Sequence, residues 1–298
     1  MKEILLTAND GRKIYCTLWD SVKKPIGIVQ LIHGMNEHVN RYDRFAKYLN
    51  KNGFIVFGDD HRAHGRTASS IENIGTTDGN KDLFSATVSD ELSILNYLHK
   101  TYKLPVCLFG HSYGSFITQA LIEKTNLHQA VCLCGSAQFW TTYLLLGKII
   151  SWFGTKIDGK DHSANIIELF SPIRKKINGT PVLTRDKQEE KTHFADKYFK
   201  DKFSYGFYYS MFKNLILLDR KVSKNIPMLI ISGSKDAVNM NGLLVKKLYK
   251  TYQKNGVKNI SLKLYDGAKH ELLNELNYNE VQADVLRFFL QSLRRKKQ

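Results

Sequence analysis

Gly110-His111-Ser112-Tyr113-Gly114 follows directly on the apolar run Pro105-Val106-Cys107-Leu108-Phe109, and the residues from Ser115 onward read as a helix. A serine between a buried strand and a helix, with glycine two positions away on either side, has the spacing of a nucleophile elbow. The sharp turn lifts the hydroxyl clear of the strand, and glycines are needed where a side chain would strike the neighbouring elements. A serine hydroxyl is a weak nucleophile on its own. Covalent acyl transfer therefore needs a base to take its proton and an acid to orient that base.

An elbow of this kind goes with the chain order nucleophile, acid, base, each just past the end of a strand. Gly233-Ser234-Lys235-Asp236 follows the apolar run 228–232, and Asp266-Gly267-Ala268-Lys269-His270 follows the strand-like run 260–265. The spacing predicts Ser112 as nucleophile, Asp236 as acid and His270 as base. Asp266 also follows a strand but shares the short loop of His270, and Asp219 is a weaker alternative. His99, His128, His162 and His193 fall on helices, loops or the middle segment, and none of them follows a late strand. The developing oxyanion needs two backbone N–H donors. Tyr113, next to the nucleophile, supplies one; Met35, in the loop His33-Gly34-Met35 after an apolar run, supplies the other. His33 is read as an anchor for that loop. Chemistry of this kind calls for no metal and no organic cofactor.

The elements that must position these residues alternate along most of the chain. Residues 26–32 are almost continuously apolar, as in a strand covered on both faces. Residues 41–50 show helical spacing, with Tyr42, Phe45, Ala46 and Leu49 on one face. Further strands are read at 54–57, 105–109, 130–134, 228–232 and 260–265. Helices are read at 82–102, after the elbow, at 241–253 and at 275–293. The pattern predicts an α/β fold: a mostly parallel sheet flanked by helices. From 137 to 222 the alternation stops. That segment is predicted to be a helical cap inserted into a core formed by residues 1–136 and 223–298, lying over the carboxyl edge of the sheet, where ligands bind in such folds. Its apolar stretch 139–153 is too short to span a bilayer and of a length for a lid helix. Phe139, Leu144 and Trp152 in that stretch are predicted to line a wall for an apolar substrate.

The chain of 298 residues, 43% hydrophobic, can bury a sizeable core. Its N-terminus reads as a hairpin turning at Asn9-Asp10-Gly11, in place of a signal peptide. Cys107, Cys132 and Cys134 fall in strands and Cys16 in the hairpin, without the paired spacing of a zinc site, so buried reduced thiols are expected. A cytoplasmic protein follows from these features. The net charge of +16 favours anionic partners, although scattered solvated lysines would produce the same excess. The dense basic block is Arg294-Arg295-Lys296-Lys297, and no nucleic-acid-binding motif is present. Weak peripheral attraction to an anionic inner-membrane surface is expected ahead of nucleic-acid binding.

These residues together resemble the monoacylglycerol lipase and lysophospholipase group of α/β-hydrolases, the serine aminopeptidase-like hydrolases. His33-Gly34-Met35-Asn36-Glu37-His38 with Arg41-Tyr42 looks like that family's HGxGEH…RY segment. Asp60-His61-Arg62-Ala63-His64-Gly65-Arg66-Thr67 looks like its DxxGHGxS loop, and Gly110 to Gly114 like its GHSxG elbow. Gly267-Ala268-Lys269-His270-Glu271 with Asn274-Glu275 is similar to its GAxHE…NE close, and Thr184-Arg185-Asp186 and Asp196-Lys197-Tyr198 to cap segments of its bacterial branch. Asn36 stands where the family usually has glycine; Ala63 and Thr67 replace its usual glycine and serine. The resemblance implies hydrolysis of carboxylic esters of single-chain lipids, monoacylglycerol or lysophospholipid. Set against it are an esterase or peptidase for small soluble substrates and, in a different class, a catalytically silent lipid-binding protein on the same fold.

Overall fold

The buried runs form strands because each is apolar on both faces. In a computed structural model that describes residues 1–169 and 182–294, they assemble into one sheet. Strands β1 (Lys2–Thr7) and β2 (Lys13–Trp19) make the expected hairpin, with Lys2 opposite Leu18. β3 (Gly27–Ile32), β4 (Phe54–Asp59), β5 (Val106–His111), β6 (Ala130–Cys134), β7 (Met228–Gly233) and β8 (Ile260–Tyr265) follow. The order across the sheet is β1-β2-β4-β3-β5-β6-β7-β8. Pairing is antiparallel from β1 to β2 and β2 to β4, and parallel from β4 through β8. This is the mostly parallel sheet expected from the alternation, in the α/β-hydrolase arrangement that the resemblance implies.

Period-two alternation sorts each strand's side chains onto two faces. Ile28, Val106, Leu108, Val131, Leu133 and Ile230 join one apolar layer, with helices α2 (Leu83–Tyr102), α3 (Tyr113–Lys124) and α8 (Leu243–Lys254). Val29, Cys107, Phe109, Cys132, Cys134 and Ile231 join the other, with α1 (Asp43–Lys51) and the C-terminal helix α9 (Tyr278–Arg294). Cysteine thus serves as a small apolar residue, and all four thiols are buried and unpaired.

Between β6 and β7 lie α4 (Thr141–Ile157), α5 (Asn165–Leu169), α6 (Lys187–Phe194) and α7 (Tyr205–Leu217). α4 packs against α7, and α7 against α2. Residues 170–181 of this segment lie outside the described residues, as do Arg295, Lys296 and Lys297 of the basic tail. No helix among the described residues is long and apolar enough to cross a membrane. Helical periodicity alone places the start of the last helix at Glu275, but α9 begins at Tyr278. Glu275 is buried, its carboxylate accepting from the backbone N–H groups of Lys269 and Arg185 at 2.7 and 3.1 Å, which holds it outside the helix.

Candidate active site

Ser112 sits between the end of β5 and the first residue of α3, with φ 50° and ψ −118°. This is a strained backbone for a residue with a side chain, held by the surrounding packing. A side chain at Gly114 would run into the Ile32 and His33 carbonyls, so the elbow can turn this closely only with glycine there. The Ser112 N–H donates to the Cys134 carbonyl at 2.9 Å, tying the turn to the end of β6.

The two partners arrive from the ends of β7 and β8. His270 Nε2 lies 2.8 Å from Ser112 Oγ, and His270 Nδ1 lies 3.0 Å from Asp236 Oδ2. A carboxylate only accepts, so Nδ1 carries the imidazole proton and Nε2 is left as acceptor for the Ser112 hydroxyl. Asp236 is fully buried and further held by the Val238 N–H at 2.9 Å and the Asn239 side-chain amide at 2.7 Å. The alternatives stand apart: Asp266 is exposed and accepts from Ser234 Oγ at 3.2 Å, and Asp219 pairs with Lys221 at 3.3 Å.

The loop after β3 passes against the nucleophile. A Cβ on Gly34 would lie 3.1 Å from the Ser112 Cβ and 2.6 Å from Glu37 Oε1. His33 anchors this loop. Its Nδ1–H donates to the Gly34 carbonyl at 2.7 Å, and its Nε2 accepts from the His61 N–H at 2.9 Å. Among the described residues, the Met35 and Tyr113 N–H groups have no acceptor in the protein.

Glu37 ties the loop to the elbow. It accepts from the Gly34 N–H at 2.5 Å, the Tyr42 hydroxyl at 2.7 Å and His111 Nδ1 at 2.8 Å. Burial works against charge on both Glu37 and His111. Their mutual attraction, helped by Arg41 beside Glu37, still holds the carboxyl well below its usual range and the imidazole above its own. Arg41 also pairs with Glu271, the residue after His270, at 2.9 Å. Sequence reading assigned Glu37, His111 and Asn239 no partners. The first two stand inside the motifs, but nothing local says that they meet. For Asn239, the only signal is an amide three positions after the strand-end aspartate.

One group of ligand-type side chains, Asp59, His61 and Glu91, gathers its atoms within 4.8 Å among the described residues. All three are buried, and His61 Nδ1 lies 3.1 Å from Asp59 and 3.2 Å from Glu91. Burial, then the Asp59 charge, pushes Glu91 up to about 8. Burial opposes charge on His61, but Asp59 more than offsets it and holds the imidazole protonated. Asp59 and Glu91 thus both face His61 Nδ1 in one buried cluster. Its His61 Nε2–H donates to the His33 carbonyl at 3.0 Å, which makes it a support for the His33 loop.

Ser112 and His270 open into a cavity of about 720 Å³ together with Met35 and Asn36, walled by Phe194, Phe199 and Phe203 from the middle segment. Its lining also carries Lys187, Glu190, Lys191 and Lys200. Phe139, Leu144 and Trp152 do not line it. Leu144 is buried in the core layer, Phe139 packs on Phe116 and Tyr143, and Trp152 is exposed on α4. The phase of α4 turns Leu144 inward and Trp152 outward, Phe139 stands before the helix, and the aromatic wall comes from residues nearer the end of the segment.

The sequence profile of the family described as serine aminopeptidase, S33, matches residues 23–277. The chain is 25% identical to the monoglyceride lipase homolog of Monkeypox virus over 294 residues, 93% of each protein. It is 26% identical to the monoglyceride lipase of Homo sapiens over 279 residues, covering 90% of this chain and 82% of that one. Among solved structures, a thermostable carboxyl esterase from Bacillus coagulans in complex with glycerol superimposes with a TM-score of 0.85 at 25% identity, covering 98% of both chains.

Proposed function

From the premise that the chain belongs to the serine aminopeptidase, S33, family and is a carboxylic-ester hydrolase of the monoacylglycerol lipase type, we propose that it cleaves single-chain lipid esters, monoacylglycerol or lysophospholipid, through an acyl-enzyme on Ser112. The observation that carries this reading is the unbroken hydrogen-bond chain from Ser112 through His270 to Asp236, opening into the cavity.

Ser112 Oγ attacks the ester carbonyl carbon while its proton passes to His270 Nε2. Asp236 keeps the ring in the tautomer that can accept and stabilises the imidazolium. The carbonyl oxygen takes the displaced electron pair and is met by the Met35 and Tyr113 N–H groups, each such donor being worth roughly 10²–10³ in turnover. Collapse breaks the bond to the alcohol, which leaves with the proton from Nε2. A water then gives a proton to His270 Nε2 as its oxygen bonds the acyl carbon; the bond from that carbon to Ser112 Oγ breaks, Oγ takes the proton back from Nε2, and the fatty acid leaves.

In this reading residues 137–222 act as the cap. The α4 face carrying Leu146, Ile149, Phe153 and Ile157, all exposed, supplies peripheral contact with a membrane. A second reading, an esterase for small soluble esters, is favoured by one observation: the charged side chains in the cavity lining interrupt its apolar wall. A p-nitrophenyl ester series separates the two. Rates rising toward medium and long acyl chains support the lipid reading, and a maximum at acetate sinks it. The chemistry itself is tested by a fluorophosphonate probe. Wild type should label, Ser112→Ala should not, and 1-monoacylglycerols or lysophosphatidylcholines should compete. Folded wild type that stays unlabelled removes the enzyme reading.

A further inference from the structure

Asn36, which stands where the resembling family has glycine, adopts φ 65°. Asparagine is one of the few residues with a side chain that enters this left-handed region, and glycine enters it freely. The side chain has a specific use. Asn36 Nδ2 donates to the Lys200 carbonyl at 2.8 Å, and Asn36 Oδ1 accepts from the Lys200 N–H at 2.7 Å. One carboxamide thus takes both backbone groups of a single residue, as a neighbouring strand would. A second fastening lies alongside: His38 Nε2 is 2.9 Å from Asp196 Oδ2, with the His38 ring edge-on to Tyr198. Segment 196–200 is therefore tied to loop 36–38 at two points, while Glu37 and His33 hold the other end of that loop to the core. The same segment brings Phe199 and Lys200 to the wall of the cavity that Ser112 opens into.

We propose that Asn36 is a positioning residue that couples the seating of segment 196–200 to the aim of the adjacent Met35 N–H at the oxyanion. The coupling rests on the functional reading above, in which Met35 is an oxyanion donor. With the segment seated, the loop is held from both sides and the donor is preset. With the clasp broken, the backbone still follows its path but is held only from the core. Asn36→Gly is the probe, because glycine enters the positive φ without strain and removes the carboxamide, and Asn36→Asp, which keeps the side chain's size but cannot donate to the Lys200 carbonyl, controls for glycine's freer backbone.

The experiment compares full-length wild type, Asn36→Gly, Asn36→Asp, Asp196→Ala and the double variant of Asn36→Gly with Asp196→Ala on p-nitrophenyl butyrate, with fluorophosphonate labelling rates, thermal unfolding and amide hydrogen exchange. A loosened donor is worth less than a deleted one, so Asn36→Gly should lower kcat and the labelling rate by about tenfold, with KM within about twofold. Exchange over 196–200 should quicken while the unfolding midpoint stays near wild type. Asp196→Ala loosens the same segment, so the double variant should lose little more than Asn36→Gly alone. Wild-type kcat in Asn36→Gly, or single losses that multiply in the double variant, overturns the coupling. So does a loss accompanied by a collapsed unfolding midpoint, which marks a merely structural tie. Wild type that neither hydrolyses nor labels overturns the functional reading and the coupling with it. An active wild type beside an unchanged Asn36→Gly overturns the coupling alone.

Discussion

At the scale of single residues, the proposed mechanism depends on groups that hold the reacting ones still. Asp236 can fix the His270 tautomer only if its own carboxylate is fixed, and Asn239 does this from one side chain. Its Nδ2 donates to Asp236 Oδ2 at 2.7 Å, and its Oδ1 accepts from the Gly242 N–H at 2.7 Å. Asn239→Ala leaves Asp236 buried and held more loosely, by the Val238 N–H and a long bond from Ser232 Oγ at 3.4 Å besides His270. The expected result is a kcat about tenfold lower with KM little changed, whereas Asp236→Asn, which presents the wrong partner to Nδ1, should lose about 10⁴. Steady-state kinetics on one soluble ester read both, and an Asn239→Ala kcat equal to wild type would remove Asn239 from the positioning set. Ser112, Asp236 and His270 were legible in the sequence because each follows a strand end, and strand ends are visible as breaks in apolar runs. Asn36 and Glu37 were visible only as letters of a motif. Asn36 meets Lys200, a partner 164 positions away, and no local pattern encodes a contact at that range.

At the scale of elements, the same contrast recurs. Strands buried on both faces announce themselves by composition, and that is why β3 to β7 were readable from their residues alone. A helix announces its apolar stripe but not which neighbour the stripe meets. On α4, Leu144, Ser151 and Gly154 turn inward, while Leu146, Ile149, Phe153 and Ile157 are 58%, 51%, 52% and 78% exposed. The apolar stretch 139–153 therefore has two apolar faces, one spent on packing and one left to solvent. Phe139, Leu144 and Trp152 could not be sorted between those faces from sequence. If the open face meets a bilayer, charging it weakens only reactions that need the bilayer. Leu146→Asp with Ile149→Asp should keep p-nitrophenyl butyrate hydrolysis within about twofold. Hydrolysis of monoacylglycerol carried in phosphatidylglycerol vesicles should fall by roughly tenfold or more, since burying one such side chain is worth about 1.5–3 kcal/mol. Equal rates on both substrates for variant and wild type would leave this face without a membrane role.

At the scale of the whole molecule, buried charge joins loops that are far apart in the chain. Arg41, just before α1, pairs with Glu37 at 3.2 Å and with Glu271 at 2.9 Å, and His193 on α6 lies 3.3 Å from Glu271. One ionic network thus joins the loop beside Met35 to the loop of His270, and among the described residues it is continued toward the middle segment only by the close approach of His193, whose imidazole is held below its usual range by burial. Burial alone would raise the Glu271 pKa, but the Arg41 charge outweighs it, with His193 adding to the effect, and brings the carboxyl down to about 2. The sign follows from linkage. A carboxyl depressed in the folded state contributes stability that is complete above its ordinary value near 4.3, and that stability is lost as pH falls through the folded value. Between those two values the unfolded chain binds the extra proton, so wild type should lose stability on acidification through this window, by a total on the order of 3 kcal/mol from this group. Glu271→Gln cannot titrate there. Its unfolding midpoint should lie below wild type at neutral pH and fall less steeply between about pH 4.5 and 2, the two curves converging at the acid end. Thermal unfolding across that range decides the matter. Curves that run parallel through the window would mean that some other carboxylate carries the acid sensitivity, and that the Arg41–Glu271 pair adds nothing to the stability of the fold.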